Sequence, residues 1–109
     1  MLLVNVPPLW EELPDDERAA FYREYEALRN EPGYLGGAEL LPGQAAVTVR
    51  VQNGEVLTTD GPFADTKEVF GGYYLFEGDD LASIVALAAR IPAARIGGSV
   101  EVRPVRHRT

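Results

Sequence analysis

Arg50, Asp60, Lys67, Glu68 and Tyr73 fall in one stretch near the middle of the 109-residue chain. Together they suit a small anionic or enolic molecule. Arg50 and Lys67 carry positive charge to hold it, and Tyr73 offers a ring and a hydroxyl. Asp60 and Glu68 are the candidate catalytic groups, each able to move a proton when burial or neighbours tune its pKa. Asp65 and Tyr74 lie close by in sequence. The same residue types also cap turns and pair on surfaces, so the composition of the stretch admits both readings.

Other chemistries are excluded by what the chain lacks. It has no cysteine, hence no disulfide, no thiol nucleophile and no Cys-ligated metal. Its one histidine, His107, lies three residues from the end, which argues against a His-based metal site or a catalytic triad within one chain. No metal and no cofactor is implied. A net charge of −7 argues against general affinity for nucleic acid. No apolar run approaches the roughly 20 residues of a membrane span. The first residues, Met1 to Val6, lack the basic region of a signal peptide, so a cytoplasmic location is expected. Charge is unevenly spread. Residues 11–39 hold nine acids and three arginines, net −6, and residues 95–109 hold four arginines and one acid, net +3. Such patches solvate a surface or steer one subunit or partner onto another.

The candidate residues must be positioned by the elements around them. Asp60-Gly61-Pro62-Phe63 is a rigid turn, because proline fixes its own φ and pushes Gly61 towards extended backbone. Before it, Val47-Thr48-Val49-Arg50-Val51 alternates, Asn53-Gly54 is a preferred two-residue turn, and Glu55 to Thr59 returns. That turn sets a register in which Gln52 faces Glu55, Arg50 faces Leu57 and, if pairing continues, Val47 faces Asp60. Asp60 then lies on the valine face and Arg50 on the other. An Arg50–Asp60 ion pair would require the strand to bend or end first.

After the turn, Asp65-Thr66-Lys67-Glu68 has the form of a capping box and predicts a short helical turn ended by Gly71-Gly72. Tyr73 to Glu77 reads as a strand bulky on both faces, hence central. Leu2 to Val6 reads as the first strand. Pro7, Pro8 and Pro14 predict a loop holding Trp10 over one edge of the core. A helix starts at Asp15 or Asp16, shows Phe21, Tyr22, Tyr25 and Leu28 on one face, and stops by Glu31. Tyr34 to Leu41 is a weak, glycine-containing strand. Asp79 or Asp80 caps a second helix that Pro92 ends, with a wide apolar stripe including Leu81, Ile84, Val85, Ala88 and Ile91. Gly98 to Val105 is a last strand near an edge.

The expected fold is α+β across a single domain, residues 1–109. It is a ferredoxin-like split βαβ with an inserted β-hairpin, and two helices cover one face of an antiparallel sheet. The other face must be buried by something, and a second copy is the simplest partner.

The run Asp60-Gly61-Pro62-Phe63 with Thr66-Lys67-Glu68, Gly71-Gly72-Tyr73-Tyr74, an Ala-rich helix ending at Pro92 and the closing 98–105 segment resembles the YCII-related family, in its DGPF-motif branch. The resemblance covers nearly the whole chain. It implies a homodimeric α+β barrel, with two sheets face to face and clefts beside the interface. The wider family is described with a His–Asp active-site pair. Asp60 can supply the acid here, but the only histidine is His107 in the tail, a departure from that pattern. Members of the family also resemble accessory proteins encoded beside, or fused to, extracytoplasmic-function sigma factors. Two functions therefore stand. One is a small-molecule-binding protein or acid–base enzyme with a cleft near the DGPF turn. The other is a non-catalytic homodimeric accessory or regulatory module with a protein partner.

Overall fold

The computed structural model describes residues 1–7, 9–42, 45–61 and 69–106. In chain order the elements are β1 (Leu2–Val6), α1 (Leu9–Glu12), α2 (Asp15–Ala27), β2 (Tyr34–Glu39), β3 (Val47–Gln52), β4 (Glu55–Asp60), β5 (Val69–Phe76), α3 (Leu81–Ala89) and β6 (Ser99–Val102). Strands β2, β5, β1 and β6 form one sheet in that order, with every neighbouring pair antiparallel. This is the ferredoxin-like arrangement. Strands β3 and β4 form a separate two-stranded ribbon inserted between β2 and β5.

Alternation along β1 decides which side of the sheet holds the core. Leu2 and Val4 point to one side and are buried, together with Leu28, Ala88, Ile91 and Ala93. Val6, Tyr74, Phe76, Val100 and Val102 pack against them. Helices α2 and α3 supply the cover. Asp80 caps α3, its side chain accepting from the Ala82 N–H at 3.1 Å and from the Ser83 hydroxyl at 2.8 Å. These bonds hold the Asp80 carboxyl below its ordinary pKa, the one from Ser83 most of all. Only part of the expected α3 stripe is used. Ile84, Leu87 and Ala88 pack on the core, whereas Leu81 and Val85 remain exposed.

Three expectations need correction. The segment around Trp10 is not an irregular loop, because Leu9–Glu12 makes one helical turn, entered by a bond from the Trp10 N–H to the Pro7 carbonyl at 3.0 Å. Trp10 is buried there against Phe21, Tyr22 and Tyr25. The sheet-covering helices are thus joined by a third, short one. The central strand begins at Val69, so Gly71 and Gly72 lie inside it and end nothing. At Gly72 the β2 backbone passes so close that a Cβ would meet the Ala38 carbonyl oxygen at 2.7 Å, which only glycine permits. The last strand stops at Val102, before Pro104. The helical turn expected over 65–68 lies outside the described residues.

Two tyrosines tie α2 to the sheet and to the turn after α3. The Tyr74 hydroxyl donates to the Tyr25 backbone carbonyl at 2.7 Å, and the Tyr25 hydroxyl accepts from the Ala93 N–H at 3.2 Å. The two rings stack with centroids 6.5 Å apart. Burial pushes the Tyr25 phenol up to about 12 and raises Tyr74 as well. Because the folded values exceed the unfolded one, this stability is complete below pH ~10 and fades as pH rises through the folded values. Thermal melts should therefore be flat up to about pH 10 and fall above it, with tyrosinate absorbance appearing as the fold is lost. Tyr25→Phe strands the buried Ala93 N–H and should cost about 1–3 kcal/mol in denaturant unfolding. Asp80→Ala removes both cap bonds and should lower the unfolding midpoint in the same denaturant melts.

Candidate functional site

The ribbon follows the register that its turn dictates. Asn53 and Gly54 adopt φ of 52° and 79°, the left-handed pair that a tight hairpin needs. Gln52 then faces Glu55, Val51 faces Val56, Arg50 faces Leu57, and pairing runs on until Val47 faces Asp60. Two bonds close the base. The Gly61 N–H donates to the Ala46 carbonyl at 2.7 Å, and the Thr48 hydroxyl donates to the Gly61 carbonyl at 2.8 Å.

Strand β4 neither bends nor ends before Asp60, so Arg50 and Asp60 lie on opposite faces of the ribbon. Both are exposed. Asp60 shares its face with Val47, Val49, Val51 and Val56, which are 58–68% exposed. The Asp60 carboxylate makes no hydrogen bond or ion pair in the described structure. Tyr73 sits elsewhere, on β5 in the main sheet, opposite Leu3 on β1 and Ala38 on β2. By alternation it points away from the helices, on the open face with Leu3 and Leu75. Phe70 joins them through its pairing with Asn5. The structure therefore spreads Arg50, Asp60 and Tyr73 over three surfaces of one chain. Lys67, Glu68 and His107 lie outside the described residues.

Two shallow clefts lie on the helix side, and neither is lined by Arg50, Asp60 or Tyr73. One, of about 270 Å³, lies between α2 and the end of α3 and is lined by Glu24, Ala27, Leu28, Ala89, Arg90 and Arg95. Ion pairs flank it, Arg95–Glu24 at 2.8 Å and Arg90–Glu31 at 2.6 Å. The other, of about 510 Å³, lies between the end of α2 and β2, beside Arg23, Arg29, Asn30 and Tyr34. No spacing in the sequence pairs Glu31 with Arg90. The signal available was the opposition of an acidic 11–39 segment and a basic C-terminal one, and Arg95–Glu24 joins those two within a single chain. Among the described residues no three acidic or histidine side chains gather within metal-binding reach.

A family model described as the YCII-related domain matches residues 1–108. A relative from Rhizobium meliloti (strain 1021), described as uncharacterized protein R00369, is 40% identical over 96 residues, covering 84% of this chain and 76% of the relative. No helix among the described residues is long and apolar enough to cross a membrane.

An exposed carboxylate with no partner among the described residues holds none of them in place, so Asp60→Asn should shift unfolding by no more than about 0.5 kcal/mol in denaturant melts. A loss of several kcal/mol would mark Asp60 as a structural cap instead.

Proposed function

The chain belongs to the YCII-related family, and from that premise we propose that it works as a homodimer that binds a small anionic or enolic molecule in a cleft beside the subunit interface, near the Asp60 end of the ribbon. Asp60-Gly61-Pro62-Phe63 supports the DGPF-type branch of the family.

One observation carries the homodimer. The chain exposes 7801 Å², whereas a folded monomer of 11.9 kDa should expose about 5,900 Å². Its radius of gyration is 15.7 Å, against about 13 Å for a compact domain of this length. An excess of this size matches the surface that an obligate dimer buries per subunit, about 1,000–2,500 Å². The open sheet face, with Leu3, Phe70, Tyr73 and Leu75, is the natural place for the second copy.

In this reading Arg50 holds the ligand's negative charge. Tyr73 forms part of a wall, and Asp60 contacts the ligand or moves its proton once the interface has removed water from it. Glu68 and Lys67, adjacent in sequence, are assigned the same kind of work, proton transfer and charge binding.

A second reading has its own support. Neither helix-side cleft contains the candidate residues, and Asp60 is solvent-exposed in the single chain. Both facts favour a non-catalytic homodimeric accessory module, consistent with the family's association with extracytoplasmic-function sigma factors.

Native mass spectrometry of the purified protein separates the two. The ligand-binding reading predicts twice the chain mass plus a defined small adduct, which Asp60→Asn or Arg50→Ala removes without dissociating the dimer. A bare dimer after gentle purification, with no adduct recovered from a panel of small carboxylates and enols, would move the assignment to the accessory module.

A further inference from the structure

The ribbon β3–β4 is poorly explained by a single chain. An isolated two-stranded hairpin is marginally stable in water and needs a cover or a third strand. This one carries four valines on one face, each more than half exposed, with Leu57 exposed on the other. Among the described residues neither of its outer edges is paired with another strand. The flat outline of the chain, 46 × 38 × 18 Å, shows that the ribbon is not folded back over its own sheet as a third layer.

Area decides what covers it. The open face of the four-stranded sheet is roughly 20 Å by 20 Å, about 400 Å² in plan, from strand spacing and rise. Side-chain relief makes the accessible area of such a face larger than its plan, yet still well short of the excess surface of this chain. Face-to-face packing of the two sheets cannot by itself account for the excess, and the ribbon carries the largest remaining run of exposed apolar side chains on a strand face. A two-fold dimer supplies each ribbon with an apolar surface of the same kind, the sheet face of the other subunit.

We propose that each ribbon lies with its valine face on the partner subunit, at the open face of the partner's sheet, and carries Asp60 there. This rests on the homodimer reading and extends it. Asp60 faces Val47 across the ribbon, so whatever covers Val47, Val49, Val51 and Val56 also receives Asp60. A site built on Asp60 then has walls from both chains, with Asp60 from one and the Tyr73 surface from the other.

The absence of cysteine makes the test clean. Asp60→Cys, tagged with a nitroxide, is mixed with ¹⁵N-labelled wild-type protein so that the observed amides belong only to the partner without the nitroxide. The expected result is loss of the partner's Leu3, Tyr73 and Leu75 amide signals through paramagnetic broadening. Mixed dimers in which the partner's signals persist would overturn the ribbon placement while leaving the dimer intact. Failure of wild-type protein to dimerise at all would overturn both. A second set covers the case in which the tagged variant does not fold. Val49→Glu and Val51→Glu alter side chains already exposed in the single chain, so they should keep its circular dichroism and weaken the dimer by roughly 100-fold, because each places a charge in an apolar contact. Thr59→Glu, on the Arg50 face, should leave the dimer unchanged. Equal affinity for all three variants would overturn the proposal.

Discussion

A sheet has two faces, and this chain carries helices for only one. Leu2 and Val4 turn inward to Ile91, Leu28, Ala88 and Ala93, and burial of that side is the main driving force for the fold. Leu3, Tyr73 and Leu75 alternate with those same residues and must point outward wherever the inner set points inward. No rotamer or loop movement can exempt them, because the side-chain period of a strand is fixed. A chain that builds a good core on one side of a central strand with bulk on both faces therefore carries an apolar surface on the other. The proposed dimer is the response to that constraint, and the ribbon is a second surface under the same pressure.

The inner side is held by specific contacts as well as by burial. Tyr25 and Tyr74 bridge helix, strand and the turn after α3 with two hydrogen bonds to buried backbone. Both phenols stay protonated well past their ordinary range, so the bridge is insensitive to physiological pH. Ion pairs Arg90–Glu31 and Arg95–Glu24 close the same seam at the surface. Each contributes little alone, about 0–1 kcal/mol. They do, however, bring the acidic helix and the basic C-terminal part of one chain together, so some of the charge asymmetry is spent within the subunit.

Much of the architecture was legible in the sequence because its signals are local. Asn53-Gly54 admits one turn geometry, and the whole ribbon register follows, including the separation of Arg50 from Asp60 onto opposite faces. Asp80 and Pro92 bracket α3 by cap chemistry and ring geometry. What was misread depends on long-range contact. Gly71-Gly72 looks like a terminator, yet the pair sits inside β5, where the neighbouring β2 backbone comes close to Gly72 and the pairing with β1 shifts register between Val4 and Asn5. The prolines around Trp10 look like a loop, yet aromatic packing on α2 stabilises one helical turn between them. The candidate site was legible as a set of residue types and opaque as a geometry. Its described members, Arg50, Asp60 and Tyr73, lie on surfaces that a single chain does not bring together, and no spacing along one sequence reports which surface of a second copy completes them.

Sedimentation equilibrium of the wild-type protein at low micromolar concentration decides whether a second copy covers the open face. A homodimer gives a single species of twice 11.9 kDa, about 24 kDa. A stable species of 11.9 kDa, with the melting behaviour of a cooperative fold, would contradict it. In that case the open face, the valine ribbon and the excess surface would all be tolerated in water by one chain.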